Sequence, residues 1–250
     1  MRKRTLYGLA GAFLFILHIV SSLPLQLALE WSGAVDRGLS WSAIRGTVWY
    51  GEIDDAQYLN YPLGDIQQQT GFLPLLTGRV STKFTVKGPS LAAVGSVSTS
   101  LTQTVNISDT ILMLDLARYD IRDAFDAPMS GSLRLDIDRL SFRDLSCQYG
   151  QFALWTDTLR TTARRYGGQG FPIEGNGFCE DGTIYLPVSG QGPTEQVNLD
   201  VQLAPNLDYL AEVNVRSATP DIVSALSLYG FDRQGDRLVM VQRGNLLIDP

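Results

Sequence analysis

Residues 132–138 read Ser-Leu-Arg-Leu-Asp-Ile-Asp, and this short stretch decides the fold class. Leucine or isoleucine occupies every second position, and a charged residue follows each of them. Successive side chains of an extended strand point to opposite faces of a sheet. The stretch therefore predicts a β-strand with one buried face and one face in water.

The same alternation recurs along the chain, at residues 80–86, 197–203 and 212–216. Turn-forming residues separate the alternating segments. They lie at 87–89, 128–131, 166–168, 180–182 and 234–236. Their regular spacing favours an antiparallel meander over alternating β–α units. We expect a mainly β domain, built as one antiparallel curled sheet or β-sandwich-like structure with one or two short helices. The best helix candidate is 219–228, which begins Thr-Pro and is followed by Gly230.

The N-terminus predicts a membrane anchor. Arg2, Lys3 and Arg4 precede a segment, residues 5–29, that contains no Asp, Glu, Lys or Arg. An apolar helix of about 20 residues spans a bilayer, and a basic flank stays in the cytoplasm. We expect a cytoplasmic tail at 1–4, a transmembrane helix at 5–29 and a β-rich domain at 30–250 across the membrane. A cleaved signal peptide is the alternative, but residues 21–28 offer no good A-x-A-like site.

Composition argues against an enzyme. The chain has one histidine, His18, and it lies within the apolar N-terminal run, whereas histidine-based metal sites and catalytic triads need a solvated side chain. No phosphate-binding loop occurs, and Leu140 stands where a calcium loop beginning at Asp136 needs an oxygen ligand. We therefore expect no catalytic residues, no metal and no cofactor. The net charge of −6 also argues against a nucleic-acid partner.

Cys147 and Cys179 are the two cysteines of the chain. Disulfides persist outside the cytoplasm, where this domain is expected to lie. The alternative is a redox or metal pair, but there is no C-x-x-C spacing and no nearby histidine. A structural disulfide is the favoured prediction.

Five segments, in this order, resemble the general secretion pathway protein N family, a subunit of bacterial type II secretion systems. They are Ile-Arg-Gly-Thr-Val-Trp-Tyr-Gly at 44–51, Gly-Ser-Leu-Arg-Leu-Asp-Ile at 131–137, Phe-Ala-Leu-Trp-Thr-Asp at 152–157, Cys-Glu-Asp-Gly-Thr-Ile-Tyr-Leu-Pro-Val-Ser-Gly at 179–190, and Leu-Ser-Leu-Tyr-Gly at 226–230. The resemblance extends from about residue 40 to the end. Its expected structural signature in this chain is Gly46, Trp49, Gly51, Trp155 and Gly182.

The resemblance implies a non-enzymatic accessory protein of the bacterial inner membrane, single-pass, with its β domain in the periplasm. Its expected partners are other secretion-system subunits, either of the inner-membrane platform or the secretin. A second interpretation comes from another class of protein. A membrane-anchored curled sheet with an apolar concave face resembles periplasmic lipid-transport proteins, and such a groove would carry lipid.

Overall fold

In the described residues of the computed structural model, fifteen strands form one antiparallel sheet. The structure describes residues 18–59, 61–100, 102–119, 129–165, 169–217 and 219–245. The strands are β1 Leu39–Ser40, β2 Ala43–Gly46, β3 Tyr50–Tyr58, β4 Tyr61–Thr70, β5 Arg79–Lys87, β6 Leu91–Ser100, β7 Thr104–Asp115, β8 Ser132–Arg143, β9 Ser146–Thr156, β10 Ile173–Glu180, β11 Thr183–Gln191, β12 Glu195–Leu203, β13 Asp208–Ser217, β14 Asp232–Gln234 and β15 Arg237–Asn245.

The sheet is a meander in which strands β3 to β13 pair in chain order. β1 and β2 both pair with β3 at one end, and the order at the other end is β13–β15–β14. The mainly β, antiparallel prediction is confirmed, including the four alternating segments and the turns at 87–89, 180–182 and 234–236. The sandwich-like version of it is wrong, because the strands make one sheet and not two. The predicted turn at 166–168 lies outside the described residues.

The strand register divides the sheet into an apolar face and a polar face. Ile137 is opposite Thr110 on β7 and Phe152 on β9, and this column begins the apolar face. Residues on one side of neighbouring strands share that face across the sheet. Among them are Ile53, Ile66, Phe84, Ala93, Leu112, Leu135, Leu154, Val188, Leu199, Val213 and Leu238.

A β-bulge keeps the apolar face continuous through the middle of the sheet. Asp109 has φ +48°, and the register between β6 and β7 shifts there. The extra residue places Ile107 and Leu112 on the same face although they are five positions apart. Without the bulge, one end of β7 would turn its apolar side chains to water.

Three α-helices lie wholly within the described residues: α1 Leu25–Trp31, α2 Thr158–Arg165 and α3 Pro220–Leu228. The helix predicted after Thr219 is confirmed as α3. α2 was not predicted, because six of its eight residues are Thr or Arg and only Leu159 and Ala163 mark an apolar side. In the described part of the domain at 30–250, the two helices α2 and α3 agree with the expectation of one or two short helices.

The core consists of three local clusters along the apolar face. The first joins Leu25 of α1 to Ile53 and Ala56, the second surrounds Ile137, and the third surrounds Ile173 and Val188. In the described residues no large side chain is less than 2% exposed. The apolar face is therefore shielded from water but not sealed by a second layer.

The predicted anchor at 5–29 falls largely on residues 1–17, which lie outside the described part of the chain. Residues 25–29 belong to α1, a separate short helix packed on the first core cluster. Within the described ranges, no helix has the length and hydropathy needed to span a bilayer.

Replacing Ile137 by Ala tests the assignment of the two faces. Ile137 is 9% exposed, whereas Ile111, on the polar face of the adjacent strand, is 37% exposed. We expect Ile137→Ala to lower the free energy of unfolding by about 2–3 kcal/mol, through lost burial and a residual cavity. Ile111→Ala, the matched control, should cost less than about 1 kcal/mol. Urea unfolding of the full chain in detergent measures both, and equal losses would contradict the assignment.

Candidate functional site

Two signature glycines form the corner where β2 turns into β3. Gly46 has φ +87°, and a Cβ there would lie 2.3 Å from the carbonyl oxygen of Tyr50. At Gly51 a Cβ would lie 2.4 Å from Cδ2 of Leu25 on α1. The first glycine allows the turn, and the second allows α1 to pack directly on the sheet.

Trp49 ties the N-terminal segment to this corner. Its indole N–H donates to the carbonyl of Val20 at 2.9 Å. Its ring packs edge-on against the ring of Phe72, with the two ring centroids 5.6 Å apart. The backbone N–H of Val48 donates to Leu23, and Pro24 forms a bridge with Thr47. This corner therefore sets the position of residues 18–24, which belong to the C-terminal half of the predicted anchor segment.

The disulfide lies at a second corner. The structure joins Cys147 on β9 to Cys179 on β10, with a Cα–Cα distance of 5.8 Å. The backbone N–H of Cys147 donates to the carbonyl of Gly182, which has φ +82° in the turn after β10. Cys147 is 2% exposed and belongs to the second core cluster, so the bridge is part of the packing.

Trp155 lies on the polar face. It is opposite Arg134 on β8 and Glu174 on β10, and it is half-buried. Arg134 also donates to Asp136 at 2.8 Å, and that carboxylate raises the pKa of the guanidinium above its usual value. The structural role expected of Gly46, Trp49, Gly51, Trp155 and Gly182 stays a prediction.

The N-terminal edge of the sheet is short and partly covered. β1 has two residues and β2 has four, and α1 packs beside β2. Arg45 on β2 forms ion pairs with Glu52 and Asp54, at 3.5 and 2.8 Å. Short strands and charged side chains of this kind discourage pairing with another chain.

The C-terminal edge is longer and more open. β14 pairs with only Arg237, Leu238 and Val239 of β15, so residues 240–244 have no described strand on their outer side. Gly235 and Asp236 form a two-residue hairpin turn, which makes 234 and 237 a hydrogen-bonded pair. Alternation then directs the N–H and C=O groups of Val241 and Arg243 outward, away from β13.

An apolar pocket lies under α2 and α3, against β12 and β13 of the apolar face. The sequence analysis did not predict this pocket, because it did not predict α2, which forms one of its walls. The spacing of Leu159 and Ala163, one helical turn apart, was the available signal. Among the described residues, no group of three His, Cys, Asp or Glu side chains could hold a metal ion.

In the described residues the fold is a β-meander of one sheet with a short, charged edge and a longer, more open edge. A family model for protein N of the type II secretion system matches residues 37–241. The chain therefore belongs to the type II secretion system protein N family, and the resemblance seen in the sequence is confirmed. No curated protein and no solved structure matches it. Membership makes the chain a component of a protein secretion system and indicates a location in the cell envelope.

Removing the disulfide should destabilise the domain. The bridge spans 32 residues, and closing a loop of that size stabilises by about 3–4 kcal/mol in the chain-entropy model. We expect the Cys147→Ala, Cys179→Ala double variant to lose this amount in urea unfolding under oxidising conditions. Under reducing conditions the parent chain should show a similar loss. Non-reducing peptide mapping of protein from its native membrane should recover the linked pair, and free thiols would contradict the bridge.

Proposed function

We propose that this protein is a non-enzymatic accessory component of the inner membrane in a type II secretion system. A single-pass N-terminal helix holds it, with the N-terminus in the cytoplasm and the β domain in the periplasm. It works through protein–protein contacts with the inner-membrane platform subunits or the secretin. Family membership over residues 37–241 supports the secretion role.

The docking surface in this proposal is the outer edge of β15. An exposed strand edge binds an extended segment of a partner by main-chain hydrogen bonds, and neighbouring side chains add specificity. Val241 is 50% exposed, and alternation places its N–H outward together with that of Arg243. The open edge at 240–244 is the single observation that supports this mode of contact.

A photoreactive residue at position 243 tests the edge in the native membrane. Val241→Pro removes an outward N–H but none of the hydrogen bonds to β13, and Val241→Ala keeps the N–H. We expect crosslinks to platform subunits or the secretin in the parent and in Val241→Ala. Val241→Pro should lower their yield about tenfold because strand addition fails. Mass spectrometry of the tagged, crosslinked protein identifies and quantifies the partners.

The same photoreactive residue at Ala43, on the N-terminal edge, serves as the positional control. Equal crosslinking from 43 and 243 would contradict docking through β15. Unchanged yield in Val241→Pro would also contradict it, provided that circular dichroism shows an intact sheet. Recovery of neither platform subunits nor the secretin would overturn the secretion-contact proposal itself.

The second candidate function is a periplasmic lipid-carrying groove. The observation that favours it is the continuous apolar face, with three separate clusters and no large side chain fully buried in the described chain. A trough of this kind could shield acyl chains from water. A pull-down of the tagged protein from its native membrane in mild detergent, with mass spectrometry of proteins and lipids, tests this candidate. Stoichiometric lipid without secretion subunits would favour it over the first.

A further inference from the structure

An apolar patch lies at the N-terminal corner of the sheet, around the indole of Trp49. Four side chains form it, and all of them are apolar and between 41% and 76% exposed: Ile19, Val20, Phe72 and Leu73. Trp49 connects them, because its indole bonds the carbonyl of Val20 and its ring packs against Phe72. We call these four residues the corner patch.

The loop between β4 and β5, residues 71–78, carries half of the corner patch. Leu73–Thr77 forms a 3₁₀ helix that ends at Gly78, which has φ +70°. The backbone N–H of Gly71 donates to the carbonyl of Ser81 at 2.8 Å and closes the loop on β5. A backbone that forms its own hydrogen bonds enters an apolar layer at lower cost. The loop is therefore a built element that leaves two large apolar side chains exposed.

Charge distinguishes this loop from the other turns at the same end of the sheet. The loop contains no charged side chain, and the exposed Arg79 follows it at the start of β5. The hairpin turns after β8 and β10, which the antiparallel pairing places at the same end, contain Asp144 and Asp181. Anionic phospholipid attracts a basic side chain and repels a carboxylate. An uncharged loop beside an arginine therefore suits the surface of an anionic bilayer.

The order of the chain favours a bilayer over a protein as the occupant of the patch. Residues 5–17, which contain no charged side chain, make up half of the proposed anchor and directly precede the helical turn at 18–21. Trp49 bonds this turn at Val20, and the ring centroids of Trp49 and Phe72 are 5.6 Å apart. The polar layer on each side of a bilayer is about 5–7 Å thick. A chain that leaves the membrane at this turn therefore brings the patch to the bilayer surface.

We infer that the corner patch docks on the periplasmic surface of the phospholipid bilayer, with Phe72 and Leu73 among the headgroups and Arg79 beside a lipid phosphate. Exposed apolar side chains bind at this depth, and a basic neighbour adds attraction to anionic lipid. The inference rests on the proposed anchor and goes beyond it, because it orients the β domain against the membrane. It does not involve the edge of β15.

A fluorescent label at position 73 tests the docking. Cys147 and Cys179 form the disulfide, so Leu73→Cys carries the one free thiol of the full chain. The substitution removes little packing because Leu73 is 76% exposed. Nitrobenzoxadiazole on this thiol is read in vesicles of three parts phosphatidylethanolamine to one part phosphatidylglycerol, with and without doxyl-labelled lipid. We expect doxyl lipid to lower its emission about threefold, since the label lies at the depth of the headgroups.

Leu228→Cys is the matched control, because Leu228 ends α3, at the opposite end of the strands, and is 79% exposed. Doxyl lipid should leave the emission of this label unchanged. Equal quenching at 73 and 228 would overturn the docking. Quenching at 73 by iodide, present on both sides of the membrane, but not by doxyl lipid would place the patch in water and also overturn it. A label that neither quencher reaches would overturn it in favour of a second copy of the chain.

Arg79→Gln tests the contact with lipid phosphate. It should lower the quenching at 73 about twofold, because it removes the attraction to anionic lipid. Lys87→Gln, the loss of an exposed charge at the other end of the same strand, should leave the quenching unchanged. Equal quenching in the two variants would overturn the contact of Arg79 with phosphate.

Flotation of the labelled chain with the vesicles reports the anchor separately. A chain that floats but shows no quenching at 73 by doxyl lipid overturns the docking and leaves the proposed anchor standing. A chain that does not float overturns the anchor and the docking together. Neither result bears on crosslinking from position 243.

Discussion

The separation of apolar and polar side chains onto two faces of one sheet is the constraint on which the rest of this structure depends. A strand has a period of two, so a single inserted residue reverses every side chain beyond it. The bulge at Asp109 is such an insertion, and it keeps Ile107 and Leu112 on the same face although they are five positions apart. All three core clusters, and the three helices that cover parts of the face, rest on this continuity.

The strands were predictable because their alternation is a local property. Residues 132–138 and 197–203 show it without help from the rest of the chain. α3 was also predictable, from Pro220 at its first turn and Gly230 beyond its end. α2 was not, since three of its eight residues are Thr, which has a low helix propensity, and its apolar side consists of two residues. The choice between one sheet and two depends on long-range pairing, which alternation does not encode.

Some features of the candidate site could also be predicted from the sequence, and others depend on long-range pairing. The sequence suggested pairing of Cys147 with Cys179, but only the register brings their Cα atoms to 5.8 Å. The edge of β15 is open because β14 is short. The sequence predicts the turn at Gly235-Asp236, but the length of β14 is known only once its pairing with β15 is known. Glu195 is a third case. It begins β12 and is only 6% exposed, and Thr219, which donates to it, is 24 residues away, so no local pattern marks its burial.

The meander has a consequence for how the chain acquires its structure. Strands β3 to β13 each pair with their neighbours in sequence, so the described sheet requires few long loop closures. Folds dominated by contacts close in sequence tend to form quickly. Such a sheet can grow strand by strand in chain order, from β3 to β13. The open edge of the growing sheet would then be the place where each new strand adds.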